Sequence, residues 1–583
     1  MNKVNLTIDG RQVTVSADST VLEAARKLKI KIPTLCYLKD INAIGACRMC
    51  LVEVKGARSL QASCVLPVEE GMEIKTNSPL VRTTRRTVLE LILSNHNREC
   101  TLCVRNSHCE LQTLAMEIGV REISFPGELP ERPVDQQSPA LLRDGSKCIL
   151  CRRCVALCHQ VQSVGVIQAT ERGFQTTIEP VFGKSLNEVA CIFCGQCIHA
   201  CPVAALQEKD ERDKVWKALA DPDLHVLVQT APAVRVALGE EFGLGEGRNV
   251  TGKMVAALRQ LAFDRIFDTN LSADLTIVEE SHELMERVNQ GGPFPLITSC
   301  SPAWVKYVEH HYPQLLSHLS TCKSPQQMMG ALLKTYYAQI ANIDPAKIFV
   351  VSIMPCTAKK FECQRPEMRA SGFQDVDVVL TTRELGQMIR QAGIDFPNLT
   401  EEDFDEPFGE STGAAMIFGV TGGVAESALR TVADLLTGST VEKFEYEEVR
   451  GLEGIKESTV QIGEQRFRLA VANGIGQAKK LLEQIVKGEK QYHFIEVMAC
   501  PGGCIGGGGQ PICKERIEKE KTDFPIERLK ALYKADKGST WRKSHENPTI
   551  KELYNKFFEK PNSKKAHELL HTAYMKRPLT PKE

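Results

Sequence analysis

"HFIEVMACPGGCIGGGGQP", residues 493–511, decides how the larger part of this chain is read. An apolar run ends in Cys500, "CPGGC" adds Cys504, and glycines follow. Two other apolar runs also end in cysteine: "FPLITSC" (294–300) at Cys300 and "KIFVVSIMPC" (347–356) at Cys356. With "LHVLVQTAP" (224–232) and "DVVLTT" (377–382), these runs alternate with amphipathic segments such as "GKMVAALRQLAF" (252–263). That texture predicts an α/β domain with buried, largely parallel strands. Sites in open α/β folds form just beyond the carboxyl ends of strands. Three thiol-bearing strand ends can therefore converge, and the glycines let backbone approach a bulky group closely.

The rest of the chain says what the thiols are for. Its 583 residues suggest several domains. A net charge of −1 argues against a polyanion-binding body. No apolar run has transmembrane length, and "MNKVNLTIDG" lacks a secretory pattern. Arg85-Arg86 lies too deep for a twin-arginine export signal. The expected location is the cytoplasm, where clustered cysteines point to metal rather than disulfides. Of the 22 cysteines, fifteen precede residue 202, whereas an apolar core would scatter them.

Four modules are expected, with a short helical tail. In residues 1–79, "VNLTIDGRQVTV" reads as a hairpin and "TVLEAARKLKI" as a helix opened by a Thr20/Glu23 capping box. Cys36, Cys47, Cys50 and Cys64 follow in a pattern resembling plant-type [2Fe–2S] ferredoxins; four thiolates also suit zinc. Residues 80–125 carry His96, Cys100, Cys103 and Cys109, a cubane set if the imidazole completes it; the same cysteines could hold zinc with His108. The Pro-rich stretch 125–142 reads as a linker. Residues 138–210 contain "CILCRRCVALC" (148–158) and "CIFCGQCIHACP" (191–202), two runs of the two-cluster bacterial ferredoxin type. His159 stands where proline usually follows the first run. In that repeat the fourth cysteine of each run serves the other cluster. Cys148, Cys151, Cys154 and Cys201 would then hold one [4Fe–4S], and Cys191, Cys194, Cys197 and Cys158 another. A chain of clusters carries electrons to a destination, expected in residues 211–525, with 526–583 a helical small-subunit-like segment.

"ITSCSPAW" (297–304), "MPCTAKKFE" (354–362) and "EVMACPGGCIGGGGQP" (496–511) resemble the three loops of the iron-only ([FeFe]) hydrogenases. The N-terminal modules are similar to those of the larger clostridial members. The resemblance implies a multidomain α+β and α/β protein. Its parts are a β-grasp [2Fe–2S] domain, a [4Fe–4S] module with one histidine and three cysteine ligands, a two-cluster ferredoxin-like domain and an H-cluster domain. It implies one [2Fe–2S] cluster, three [4Fe–4S] clusters and an H-cluster, a cubane joined to a diiron unit carrying CO, cyanide and a dithiolate. Cys356, Cys500 and Cys504 would ligate the cubane, with Cys504 bridging to the diiron unit. Lys359 would hydrogen-bond a cyanide, and Ala231, Pro232, Met354, Pro355 and Met498 would line the pocket.

The resemblance also gives a proton path: Cys300, Glu280, Ser320 and Glu283, with Arg287 outermost. Glu280, Glu283 and Arg287 fall on one helix face, which in a generic helix would be a solvated surface. The family's usual first loop has two adjacent cysteines, a proton donor and then the fourth cubane ligand. Here they are Cys300 and Ser301. Strict register makes Cys300 the proton carrier; the preference of cubane iron for thiolate makes it the ligand. The reading adopted at this level is ligation.

Partners implied are ferredoxin, or NAD(P)H-oxidising flavoprotein and [2Fe–2S] subunits of an electron-bifurcating complex; the Cys-Ser loop favours the latter. The chain itself has no nicotinamide or flavin motif. Competing readings are an electron conduit resembling the large iron–sulfur subunit of complex I, and a hydrogenase-like sensory or assembly protein. "GVTGGVAES" (419–427) lacks a phosphate-binding lysine and reads as the start of a helix. Cys322, Cys363 and Cys513 read as structural thiols. "AHELLHTAY" (566–574) reads as a surface helix, with His567 and His571 not ligands.

Overall fold

The computed structural model describes residues 2–129, 132, 134–442, 444–512 and 526–579. Cys513 lies outside them, as do positions 130, 131 and 133 of the Pro-rich stretch.

The N-terminal domain is built as its sequence dictates. Strands Lys3–Ile8 and Arg11–Ser16 pair antiparallel across Asp9-Gly10, both at positive φ. They join a five-stranded sheet with Glu73–Lys75, Leu51–Val54 and Gln61–Ala62. Helix Val21–Lys27 starts on a capping box between Thr20 and Glu23 and buries Val21, Leu22, Ala24 and Ala25. Helix Pro79–Ser94 leads from this domain to the His96 module.

The Pro-rich stretch departs from a plain linker. Val134–Asp135 and Leu141–Asp144 form a three-stranded sheet with Leu206–Glu208. The partner strand lies more than sixty residues downstream, so no local pattern discloses the pairing.

The large domain holds two sheets rather than one. Arg265–Asp268, His225–Thr230, Ile348–Met354 and Val378–Thr381 lie side by side, all parallel. In the second sheet Leu296–Ile297, Phe494–Met498 and Gln465–Asn473 are parallel, and Ile455–Ile462 closes the edge antiparallel. Helix Thr269–Gln290 is buried along most of its length, and helices Gly423–Thr437 and Pro325–Leu332 pack on it. "GVTGGVAES" does start a helix: Gly422 and Ala425 donate their N–H groups to the buried Glu496 carboxylate. Helix Lys564–Leu570 is not a plain surface element, because Ala566, Leu569, Leu570 and His571 are buried against the first sheet's core or its flanking loop.

Candidate metal centres and proton route

The strand ends meet as the sequence leads one to expect. Strand Ile348–Met354 delivers Met354, Pro355 and Cys356 to a mostly apolar cavity, and strand Phe494–Met498 delivers Met498 and Cys500. Cys300 and Ser301 enter after Leu296–Ile297; Ala231 and Pro232 follow His225–Thr230. Cys504 and Lys359 complete this wall. The glycines are needed where they stand. A Cβ on Gly507 would run into the Pro355 carbonyl oxygen, and one on Gly503, at φ +87°, would lie 2.8 Å from the Thr421 nitrogen.

Burial and like charge make these thiols poor thiolates by themselves. Burial and neighbouring Cys356 push Cys504 up to about 12, and Cys500 rises through burial and the charges of Cys356 and Cys504. Cys356 is raised by burial. Such a set suits a cationic iron cluster, which supplies the missing positive charge and holds the sulfurs deprotonated. Cys300 has different company. Its thiol is raised by burial and then by the Glu280 charge, and it packs against the apolar cluster of Ala273, Ile277 and Met498. Lys359 Nζ donates to Glu362 Oε2 at 2.9 Å and to the Cys300 carbonyl at 3.2 Å. Glu362 also accepts from Ser324 Oγ and Gln326 Nε2, so the lysine is held in place.

The carboxylates behind Cys300 are buried, not solvated: Glu280 is 2% exposed, and Glu283 and Arg287 each 8%. Ser320 Oγ donates to Glu283 Oε2 at 3.0 Å and lies close enough to Glu280 to affect its carboxyl. Arg287 closes the far end on Glu283 Oε1 at 2.7 Å. Burial and the neighbouring Glu283 charge push the Glu280 carboxyl up to about 8. A carboxyl so raised can take and give a proton near neutral pH.

The N-terminal cysteines also gather into sets, and every described cysteine is a free thiol. Cys50 Sγ lies 3.3 Å from Cys64 Sγ, and Cys36 lies close enough to Cys47 and Cys64 for the thiols to affect one another. In the next module Cys103 lies within electrostatic reach of Cys109, and His96 is buried with Nδ1 unpartnered, burial and Lys147 lowering it to about 4. A neutral imidazole with an unsatisfied nitrogen is what a metal would use. Cys148, Cys151, Cys154 and Cys201 line one apolar cavity. Cys158 instead lies within electrostatic reach of Cys191, Cys194 and Cys197. The latter group abuts the large cavity: Gln196 Nε2 donates to the Gly506 carbonyl at 2.8 Å, and His199 Nε2 lies 2.8 Å from that of Gly507.

Some partners escape sequence reading. Glu362 and Glu496 stand at the ends of two of the quoted loops with no role assigned there, and Glu279 and the half-buried Thr321 belong to no run or motif; their contacts exist only in the fold. Cys322 and Cys363 are buried, Cys322 with its Sγ 4.0 Å from Glu283 Oε2.

Fold and site thus define a redox enzyme strung with iron–sulfur domains. Residues 224–508 match the family described as iron only hydrogenase large subunit, C-terminal domain. Residues 1–79 match a 2Fe-2S iron-sulfur cluster binding domain, and 85–124 the NADH-ubiquinone oxidoreductase-G iron-sulfur binding region. Residues 147–205 match a 4Fe-4S dicluster domain, and 524–577 the iron hydrogenase small subunit. The NADP-reducing hydrogenase subunit HndD of Solidesulfovibrio fructosivorans is 50% identical over 99% of this chain and 100% of its own. Iron hydrogenase 1 of Clostridium pasteurianum is 44% identical over 98% of this chain and 99% of its own. The solved [FeFe]-hydrogenase HydA1 from Chlamydomonas reinhardtii matches with a TM-score of 0.56 and 40% identity, covering 62% of this chain and 99% of that one. The chain belongs to the iron-only hydrogenase family. Among its described residues no helix is long and apolar enough to cross a membrane.

Proposed function

We propose that this iron-only hydrogenase interconverts two protons and two electrons with H₂ at an H-cluster held in the large cavity. The observation that carries the reading is the junction of a thiol-lined cavity with a buried carboxylate chain. An electron conduit has no use for the second.

Cys356, Cys500 and Cys504 would hold the cubane in this reading, and Cys504 would also serve the diiron unit. When bound, that unit supplies the iron at which protons and electrons combine. The chain does the rest. Ala231, Pro232, Met354, Pro355 and Met498 keep water from the metal and tune its potential. Lys359 presents a fixed cation to an anionic ligand. Protons pass along Arg287, Glu283, Ser320 and Glu280 to Cys300. Electron-carrying chemistry would be supplied by a [2Fe–2S] cluster on Cys36, Cys47, Cys50 and Cys64 and by three [4Fe–4S] clusters. These rest on His96 with Cys100, Cys103 and Cys109, and on the two crossed sets of the ferredoxin-like domain. The division of the chain at 1–79, 80–125, 138–210, 211–525 and 526–583 follows these roles.

Cys300 is the proton carrier in this proposal, the reverse of the preference drawn from thiolate chemistry alone. Its neighbourhood of Glu280, Lys359 and Cys504 supports the change. Ser301, in extended backbone (φ −101°, ψ 101°), lines the same cavity and would be left to serve the cubane. In Cys300→Ser the cubane's spectroscopic signal should persist while turnover is lost; a vanished signal would restore the ligand reading.

The similarity to HndD along the whole chain supports an NAD(P)-linked partner, a flavoprotein with [2Fe–2S] subunits, over ferredoxin alone. Infrared bands from bound CO and cyanide test the H-cluster, and about 20 iron atoms per chain test the cluster inventory. A fully active preparation without those bands, or with only a handful of irons, would sink the reading.

A further inference from the structure

We infer that His571 is a positioning residue of the proton route: gripped by Glu279, it aims the Thr321 hydroxyl and so sets the hydrogen bonding of Glu283. The inference rests on the proposed route through Glu283.

The C-terminal segment is stapled to the loop that carries Ser320 and Thr321. Thr572 N donates to the Thr321 carbonyl at 2.7 Å, and Lys323 N to that of Leu570 at 2.8 Å, an isolated antiparallel bridge. This places the buried His571 ring between two carboxylates one turn apart on helix Thr269–Gln290. His571 Nε2 lies 3.1 Å from Glu279 Oε2, and Nδ1 lies 2.8 Å from Thr321 Oγ1. Thr321 Oγ1 is also 3.3 Å from Glu283 Oε2, which accepts from the Thr321 N–H at 3.1 Å.

Directionality follows from the donor inventory. The Glu279 carboxylate only accepts, and the Tyr554 hydroxyl and Asn562 N–H donate to it as well. In the neutral imidazole, Nε2 of His571 then carries the proton and Nδ1 is left as an acceptor. The Thr321 hydroxyl has one proton and two claimants, and the nearer one is Nδ1. Glu283 then keeps Ser320, Arg287 and the Thr321 N–H, but not the Thr321 hydroxyl. Without the imidazole nitrogens the hydroxyl turns to Glu283. One more bond to the ionised form lowers the carboxyl's proton affinity.

The other groups that bear on this network are Glu280 and Arg287 from the same helix and Cys322 from the loop. Tyr554 and His567 face it from the C-terminal segment, with the His567 and His571 rings 4.2 Å apart. His571→Phe leaves all of them in place and removes only the two nitrogens.

The test is the pH profile of hydrogen evolution, with the infrared carboxyl band of protonated glutamate as a readout apart from turnover. In His571→Phe the profile should move down by about one pH unit, a tenfold loss of proton affinity, and the carboxyl band should shift. His571→Gln, which can both accept and donate, should restore both. Adding Thr321→Val to His571→Phe should also return the profile, because the hydroxyl that moved is gone. If His571→Phe does not fold, His571→Leu makes the same test. A lowered melting temperature with pH profile and carboxyl band unmoved would overturn the inference and leave His571 merely structural. Glu283→Gln separates the two levels. If it turns over like the parent, the route itself fails; if it is inactive while His571→Phe is unshifted, only the role of His571 fails.

Discussion

The four cysteines of the N-terminal domain lie between residues 36 and 64 and meet inside one small sheet-and-helix unit. The thiols of the large cavity come from positions 300 to 504, and they meet because two separate sheets aim their strand ends at one space. The first set is a property of one loop region packed on its own core. The second is a property of the whole catalytic fold, shared with a buried helix, a Gly-rich loop and the C-terminal segment. Local sets can be lost one at a time; a distributed site is lost from many places.

The sharpest way to break that contrast is to remove one thiol from each. Cys504→Ala should abolish the CO and cyanide infrared bands and reduce turnover by at least about 10³-fold, because the proposed anchor of the diiron unit goes. The [2Fe–2S] signal should remain. Cys64→Ala should do the opposite, losing the [2Fe–2S] signal and keeping the infrared bands and dye-linked turnover. Infrared bands missing from Cys64→Ala would show that the two regions are not independent.

Next in size is the relay. Glu283→Gln should keep every cluster signal and lose roughly 10²- to 10⁴-fold in hydrogen production, the range carried by a positioned proton-transfer group. Undiminished rates would mean that the buried face with Arg287 is structural.

A smaller effect follows from Glu280, whose carboxyl is raised to about 8. A raised carboxyl favours the protonated folded state. Its stabilisation is complete below the unfolded value near 4.5 and is lost as pH rises through about 8. Stability, read as melting temperature, should therefore fall with rising pH across that window, by up to about 1.4 kcal/mol per pH unit from this group. Glu280→Gln should flatten the slope, and an unchanged slope would remove Glu280 as its source. The smallest expected effect sits at the other end of the chain. Thr20→Ala removes the capping box and should cost about 1 kcal/mol of the N-terminal domain's stability. Infrared bands of the distant cavity should not change.

Much of this protein is legible in its residues. The Asp9-Gly10 hairpin, the Thr20/Glu23 cap and the apolar runs ending in Cys356 and Cys500 are short-range patterns, and short-range patterns survive in sequence. The Pro-rich stretch reads as pure linker because its strand partner, Leu206–Glu208, is remote. The face of Glu280, Glu283 and Arg287 reads as solvated by periodicity alone; its burial comes from helices supplied by residues 325–332 and 423–437. His571 reads as part of a surface helix, since nothing local tells that its ring enters a buried network.

The cysteine runs, the loop motifs and hence the family are settled at the level of residues, because those signals are spacings along the chain. Folding alone settles that Cys300 keeps company with Glu280, that Glu362 holds Lys359, and that Glu279, His571 and Thr321 reach Glu283. Those are contacts between single polar side chains drawn from remote segments. A single polar side chain has no periodicity, so its partner exists only once the chain has folded around it.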